Sequence, residues 1–298
     1  MFQICIPYLN CISSQALFAQ LLLGLINGAF YAMLSLGLAV IFGMLNVINF
    51  AHGAQYMVGA FVAWMLLKWA GIGFWGALII APLVVAAAAV IIEKVLLSHL
   101  YKHDHLYGML LTFGLALIIE GVFRKFFGSS GQAYDNPLPG GTNLGFMFLP
   151  TYRGLAVLIS LIVCIATWYI IEKTKLGSYL RAATENPTLV RAFGINVPRM
   201  MTLTYAFGAG LAGLAGVLAA PIQNVNPLMG SYLIVVVFAV VVIGGMGSIM
   251  GSIVTGFALG LVEGLTKVFY PQASNAVIFV IMAIVLLVRP AGLFGQVR

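Results

Sequence analysis

Residues 27–53 read NGAFYAMLSLGLAVIFGMLNVINFAHG and contain no Asp, Glu, Lys or Arg. Over the whole chain of 298 residues, charged residues make up only 7%, while hydrophobic residues make up 62%. Soluble proteins carry about 25% charged residues, so this chain has too few to cover a surface exposed to water. The composition therefore excludes a soluble domain and indicates an integral membrane protein.

Apolar stretches of about 20 residues recur along the chain, and a helix of that length crosses the hydrocarbon core of a bilayer. We therefore predict an all-α polytopic integral membrane protein with eight to nine transmembrane helices. The number is open because four glycines between positions 244 and 251 allow the segment 232–269 to form two spans or one interrupted element. The predicted spans are 17–45, 50–67, 73–92, 108–123, 154–171, 202–221, 232–249, 251–269 and 275–289.

The segment 172–201 contains five Lys or Arg residues and two Glu residues. Loops rich in Lys and Arg stay in the cytoplasm, so we predict that this loop is cytoplasmic. Counting spans from it predicts that the N-terminus lies outside, that the C-terminus is cytoplasmic, and that 126–153 is a periplasmic loop. Arg124, Lys125 and Arg153 then lie on the outer side, against the rule. The net charge of +7 is interpreted as a consequence of topology, not of nucleic-acid binding.

Motifs for nucleotide hydrolysis, metal binding and nucleophilic catalysis are absent from the sequence. No lysine follows a Gly-x-x-x-x-Gly, which excludes ATP binding by a Walker A loop. No H-E-x-x-H or G-x-S-x-G motif occurs, and the three cysteines do not have metal-ligand spacing. We predict a protein that is not an enzyme and that has no catalytic residue, no metal site and no cofactor.

Part of the loop 172–201 has the signals of a short helix. We expect Thr184 to cap a helix that begins at Asn186 and Pro187, because proline is well tolerated in a first turn. Gly194 is expected to end that helix. A short helix at the cytoplasmic surface can dock on another protein, and a solvated basic loop is the alternative.

Five sequence blocks carry a family resemblance over nearly the whole chain. They are NGAFYAMLSLGLAVIFGMLNVINFAHG at 27–53, LTFGLALIIEGVFRKFFG at 111–128, the loop 177–195, VIGGMGSIMGS at 242–252 with Gly256, Gly260 and Glu263, and VRPAGLFG at 288–295. Together they resemble the smaller permeases of branched-chain amino acid ABC transporters. Met250 stands where that family tends to have proline, and Val190 stands where a small residue is usual.

The resemblance implies a single transmembrane permease domain, 1–298, in the bacterial inner membrane. It also implies that the segment 172–201 is a coupling loop that contacts an ATP-hydrolysing subunit. The implied partners are a second homologous permease subunit, two cytoplasmic ATP-binding subunits, a periplasmic substrate-binding protein and membrane lipid, with no nucleic acid. The implied contacts with the ATPase are Arg181, Glu185, Asn186, Arg191 and Gly194.

Two short motifs, NFAHG at 49–53 and NPLMG at 226–230, both have Asn four residues before Gly. Each follows an apolar run that contains a tyrosine, Tyr31 or Tyr205. The two runs cross in opposite directions in the predicted topology. This is the pattern of an inverted repeat, in which matching interrupted segments point to the substrate path, and a chance match is the alternative.

Polar residues within apolar spans are costly and are therefore candidates for function. For Asn27 and Gln55 the alternative role is hydrogen bonding between helices, worth about 0.6 kcal/mol per bond. For His52 the alternative role is a structural hydrogen bond at a helix turn. Helix pairing is the alternative for Glu120 and Glu263. The residues predicted to line the substrate path are Asn27, Tyr31, Asn49, His52, Gln55, Asn226 and Glu263.

Glycines spaced four apart predict close helix packing, because small residues let helices approach each other. Gly256, Gly260 and Gly264 follow this spacing, and the segment 208–216 repeats it with Gly, Ala and Gly. We expect these faces to pack within the core or at a seam between two permeases.

The resemblance implies a permease subunit of an ABC importer that moves branched-chain or related hydrophobic amino acids across the inner membrane by alternating access. Urea and short amides are alternative substrates, because the same type of permease carries them. An ion-coupled secondary transporter is the other alternative, and Glu120 and Glu263 are too few and too peripheral to favour it.

Overall fold

The structure is a computed structural model that describes residues 3–4, 12–45, 48–101 and 103–295, and this part of the chain is mainly helical. A π-helical segment, Glu93–Leu97, joins the helices Phe74–Ile92 and Ser98–Leu100. Two short antiparallel strand pairs are formed by β1 (Gln3–Ile4) with β2 (Ile12–Ser13) and by β3 (Gly141–Asn143) with β4 (Phe148–Pro150). The helices are α1 (Ser14–Leu45), α2 (Ala51–Ala70), α3 (Phe74–Ile92), α4 (Ser98–Leu100), α5 (His105–Phe127), α6 (Thr151–Lys173), α7 (Lys175–Glu185), α8 (Pro187–Ala192), α9 (Val197–Ala219), α10 (Met229–Gly244), α11 (Ile249–Phe269) and α12 (Val277–Val288).

Six helices of the described chain are long and apolar enough to cross a membrane. They are α1, the continuous Phe74–Leu100, α5, α6, α9 and α11, while α10 and α12 are shorter apolar helices. Each predicted apolar stretch coincides with a helix, and the segment 232–269 forms two helices joined by a turn. The prediction of an all-α polytopic membrane protein is therefore confirmed, while the number of crossings and the orientation stay predictions.

α1 is the central helix, and every residue from Gly28 to Ile41 is buried. Its sequence is apolar on all sides, as expected of a helix enclosed by other helices. α1 packs antiparallel to α11, because Gly24 lies beside Gly260 whereas Ser35, further along α1, donates to the Ser252 carbonyl oxygen at 3.3 Å.

Glycines allow the close approach of α1 and α11. A Cβ atom on Gly260 would lie 2.5 Å from the Gly28 backbone nitrogen, and one on Gly256 would lie 2.5 Å from the Cα atom of Ala32. A Cβ atom on Gly264 would lie 3.1 Å from the Cα atom of Gly24. The two helices therefore touch through their main chains, where no rotation of a side chain can make room.

α9 forms the second close packing, against α1, α2 and α3. A Cβ atom on Gly208 would lie 2.7 Å from the Gly37 carbonyl oxygen of α1, and one on Gly216 would lie 2.8 Å from the Ala60 nitrogen of α2. Two pairs of long helices therefore make extensive contacts, α1 with α11 and α9 with α3. The helix α2 packs on α3, α5 and α9, and the helix α10 packs on α11, α12 and α1.

α2 and α10 both begin part-way along a neighbouring helix rather than at its end. His52, in the first turn of α2, lies 3.0 Å from the Leu34 carbonyl oxygen, and Leu34 precedes the end of α1 at Leu45 by 11 residues. At 1.5 Å per residue, α2 therefore begins about 16 Å below the end of α1. In the first turn of α10, Ser231 contacts Glu120, which lies about 10 Å below the end of α5.

The loop between α5 and α6 is held to the loop before α10. Gln132 and Val225 exchange backbone hydrogen bonds of 2.8 and 2.9 Å, and Lys68 forms an ion pair with Asp135 at 3.4 Å. Burial and the neighbouring Asp135 carboxylate raise the pKa of Tyr134 to about 12. At the opposite end of α6, α7 and α8 form the structured part of the segment 172–201.

Candidate substrate path and coupling surface

The start of α2 contains a buried network of polar side chains. The Asn49 Oδ1 atom accepts from the Ala51 amide at 3.1 Å, and Asn49 Nδ2 donates to Gln55 Oε1 at 3.4 Å. Gln55 Nε2 in turn donates to the Tyr205 hydroxyl of α9 at 3.2 Å. The network therefore connects the first turns of α2 to α9.

The two Asn motifs form the same turn. Asn226 accepts from the Leu228 amide through Oδ1 at 3.0 Å and from the Met229 amide through its carbonyl at 3.2 Å. Asn49 makes the same two bonds to the second and third residues after it, at 3.1 and 3.2 Å. A Cβ atom on Gly53 would lie 2.5 Å from the Gly230 carbonyl oxygen, so the first turns of α2 and α10 are in direct contact.

His52 is fully buried against α1. Its Nε2 atom is 3.0 Å from the Leu34 carbonyl oxygen, whereas its Nδ1 atom has no partner in the described chain. The Tyr56 hydroxyl, one turn later on α2, is also buried without a partner among the described residues. Buried polar atoms without partners are rare in folded proteins, so this turn of α2 has unused capacity for hydrogen bonds.

A second polar group joins α1 and α11. The Tyr31 hydroxyl donates to Glu263 Oε2 at 2.7 Å, and Lys267 forms an ion pair with Glu263 Oε1 at 2.5 Å. Asn27 lies one turn before Tyr31 and is half-buried. The predicted path residues are thus divided between the start of α2, the α1–α11 contact and, for Asn226, the turn before α10.

Two partners of the α2 network were not expected from the sequence. The Phe50 amide donates to Thr112 Oγ1 of α5 at 3.2 Å, and Thr112 Oγ1 is 3.3 Å from the Ile48 carbonyl oxygen. The other partner is Tyr205, which the sequence singled out only as part of the repeat. Both contacts join residues far apart in the chain, and no local pattern predicts them.

A buried carboxylate near the other end of α9 was also missed. Glu93, in the π-helical segment, accepts from Thr202 Oγ1 at 2.7 Å and from the Tyr101 hydroxyl at 2.9 Å. Burial and the neighbouring Glu93 carboxylate raise the pKa of Tyr101, so its hydroxyl stays protonated and donates. Because α9 begins at the end of the segment 172–201, this group ties that segment to the end of α3.

The short helix α8 begins and ends where the loop signals indicated, but its cap differs. Asn186 accepts from the Leu189 amide at 2.9 Å, Pro187 occupies the first turn, and Gly194 adopts a φ of 81°. The prediction that Thr184 caps the helix is wrong, since its hydroxyl donates to the Arg181 carbonyl oxygen at 2.7 Å. The cap directly precedes the first helical residue, Pro187. The capping residue is therefore Asn186.

Arg181 attaches α7 to the end of α6. Its guanidinium lies 3.2 Å from Glu172 Oε2 and 3.2 Å from the Ile171 carbonyl oxygen. Beneath α7 is a cavity of about 90 Å³, which Arg181 lines together with α1, α6 and the turn between α10 and α11. Glu185 at the end of α7 and Arg191 on α8 are exposed, so both are free of the helical core.

One side of α8 is exposed and apolar, and the sequence analysis did not single it out. Leu189 is 55% exposed and Phe193, directly after the helix, is 77% exposed. Val190, by contrast, is only 5% exposed and packs in a cluster with Val197 and Tyr205 of α9. The departure from the family pattern at Val190 therefore lies on the inner side of α8, away from this exposed surface.

Comparison with known proteins identifies the family. Residues 20–286 match the family model for the permease component of branched-chain amino acid transport systems. The chain belongs to this family. It is therefore a multi-pass inner-membrane permease, and its role lies in transport rather than in catalysis.

Several relatives of this permease align over most of their length. The permease protein LivH of the high-affinity branched-chain amino acid transport system of Escherichia coli K12 is 28% identical over 296 residues, covering 93% of this chain and 95% of LivH. BraD of Pseudomonas aeruginosa is 29% identical over 292 residues, with coverage of 93% and 95%. LivM of Escherichia coli K12 is 27% identical over 293 residues, covering 90% of this chain and 68% of LivM. No solved structure matches.

Proposed function

We propose that this permease is the transmembrane subunit of an ATP-driven importer that moves branched-chain or related hydrophobic amino acids by alternating access. The observation that carries the proposal is the pair of exposed apolar side chains, Leu189 on the short helix α8 and Phe193 directly after it, outside the long apolar helices. Exposed aromatic and aliphatic residues that rest on a rigid helix are suited to anchor a protein partner. The proposed partner at this surface is a cytoplasmic ATP-binding subunit.

The core supplies a connection from that surface to the polar network. Val190 of α8 belongs to the same buried hydrophobic cluster as Val197 and Tyr205 of α9, and Tyr205 accepts from Gln55 at the start of α2. A displacement of α8 by the ATPase would therefore move α9 and disturb the network around Asn49. In this proposal, Arg181, Glu185, Asn186, Arg191 and Gly194 belong to the coupling surface or maintain its shape.

We also propose that the chain contains an inverted repeat, with α1, α2, α3 and α5 matching α9, α10, α11 and α12. The identical turns at Asn49 and Asn226 and the matching packing of the two sets of helices support it. Together with the basic loop, the repeat supports nine crossings with the N-terminus outside. The substrate path would then pass the first turns of α2 and α10, with Asn27, Tyr31, Asn49, His52, Gln55, Asn226 and Glu263 near it.

The proposed assembly contains this chain, a second homologous permease, two ATP-binding subunits and a periplasmic substrate-binding protein. The similarity of this chain to both LivH and LivM supports a pair of related permeases. The loop 126–153 is the proposed dock for the binding protein, because its backbone pairing with Val225 links it to the segment before α10.

Uptake of radiolabelled leucine tests the proposed substrate and energy source. The chain is co-produced with the products of its neighbouring genes in a strain that lacks its own branched-chain amino acid permeases. We expect leucine uptake that stops when ATP is depleted and persists when a protonophore removes the ion gradient. Uptake of urea or acetamide without leucine would contradict the substrate class. Uptake that a protonophore abolishes while ATP remains would instead indicate an ion-coupled transporter.

A further inference from the structure

α5 and α10 are linked by a side-chain hydrogen bond and by Phe50 of α2. We call the surface along them the seam, defined by Phe113, Leu117, Glu120 and Arg124 on α5 and by Ser231 and Phe238 on α10. At its outer end, Glu120 accepts from Arg124 at 2.7 Å and from the Ser231 hydroxyl. The Ser231 bond crosses between the two helices. Ser231 and Arg124 are both exposed, so this polar contact lies on the outside of the isolated chain.

Aromatic rings form the deeper part of the seam. Phe50, at the start of α2, lies between Phe113 of α5 and Phe238 of α10, with ring centroids 6.1 and 6.3 Å apart. Phe113 and Glu120 are seven residues apart and share one side of α5, with Leu117 between them. The rings therefore lie about 10 Å from the carboxylate, and Phe50 separates the seam from the network at Asn49.

The surface at this seam differs from the other exposed helix surfaces. The exposed residues in the middle of α3, α6 and α12 are aliphatic or alanine, as lipid contact requires. At the seam, an ion pair and a serine hydroxyl lie about two turns inside α5, where contact with lipid would be costly. A Cβ atom on Gly114 or Gly121 of α5 would meet nothing within 4 Å, unlike the glycines of α1, α9 and α11 described above.

We propose that the seam is a wall of the substrate path, with the Glu120–Ser231 bond as an outer latch and Phe50 as an inner plug. The inference rests on the proposed function, because it assumes that the substrate is an amino acid. Glu120 and Arg124 supply the opposite charges that match an ammonium and a carboxylate group. The three rings supply an apolar surface for a branched side chain.

Cysteine labelling in spheroplasts that contain the whole complex tests the seam. Leu117→Cys is compared with Ile162→Cys of α6, because these residues are 53% and 57% exposed, each in a chain whose three native cysteines are replaced by serine. The probe is the membrane-impermeant ethyltrimethylammonium methanethiosulfonate. We expect Leu117→Cys to react about a hundredfold faster, because neither a thiolate nor the cationic probe enters hydrocarbon. Adding Ser231→Ala should open the latch and raise the rate about fivefold, equivalent to one hydrogen bond.

Leucine uptake is measured before and after labelling, so that the two proposals fail separately. We expect labelling of Leu117→Cys, but not of Ile162→Cys, to block leucine uptake. Equally slow labelling at both positions in a complex that takes up leucine would overturn the seam alone. Fast labelling of Leu117→Cys that leaves leucine uptake unchanged would also overturn it. A complex without leucine uptake before labelling would overturn the amino acid assignment on which the inference rests.

Discussion

Replacing Phe193 by aspartate is expected to release the ATP-binding subunits from the permease. Phe193 is the most exposed aromatic side chain of the described chain, at 77%, and in the proposed complex it is buried against the ATPase. A carboxylate at that position would lose its hydration without gaining a partner. A loss of about 2–4 kcal/mol, typical of an interface anchor, lowers affinity by about 30- to 1000-fold. Co-purification of the ATP-binding subunits with the tagged permease measures the effect.

Phe148→Asp is the matched control for Phe193→Asp. Phe148 is 60% exposed on β4, in the loop at the opposite end of α6. The Phe148→Asp variant should keep the ATP-binding subunits bound, because residue 148 lies on a surface that faces away from α8. Equal retention of these subunits by both variants would contradict the proposed role of α8.

The second large effect is expected for Gly260→Val, which should prevent the close packing of α11 on α1. The Cβ atom would come within 2.5 Å of the Gly28 backbone nitrogen, so the helices must separate. Overpacking in a core costs about 1–3 kcal/mol and sometimes more. We expect the melting temperature of the purified protein to fall by about 3–12 °C, with a matching loss of monodisperse protein in size-exclusion chromatography.

Gly154→Val separates this steric effect from the general cost of changing a helix glycine. Gly154 is on α6, and a Cβ atom there would meet nothing within 4 Å. Its valine variant should keep the melting temperature within about 2 °C of the wild type, since surface changes usually alter stability by less than 0.5 kcal/mol. An equal fall for both variants would show that the main-chain contact between α1 and α11 does not limit stability.

The apolar helices were predictable because each depends only on local composition. A helix that crosses a membrane needs a long apolar run, and such a run can be recognised in the sequence whatever the helix packs against. The short helix α8 was predictable from Pro187 and Gly194 for a similar local reason, although its cap was misplaced by two residues. The parts that depend on contacts between distant segments were not accessible in this way.

The polar network shows where sequence reasoning stops. Asn49, His52 and Gln55 were predicted as a group because they are close in sequence, but the Tyr205 hydroxyl that accepts from Gln55 comes from α9, and the Thr112 hydroxyl that accepts from the Phe50 amide comes from α5. Glu93 follows the predicted span 73–92 and was not singled out from the sequence, although its side chain is buried in the π-helical segment. Which side of α8 is exposed could not be predicted either, since six residues are too few to show a periodic pattern.

Leucine-dependent ATP hydrolysis by the complex in liposomes tests the central claim most directly. The wild type is compared with the double variant Glu185→Ala, Arg191→Ala, in the presence of the substrate-binding protein. Both residues are exposed on α7 and α8, so the double variant should fold normally. We predict that leucine stimulates hydrolysis by the wild type and that the double variant hydrolyses ATP without this response. Equal stimulation of both would contradict coupling through α8, and hydrolysis that never responds to leucine would contradict the proposed importer.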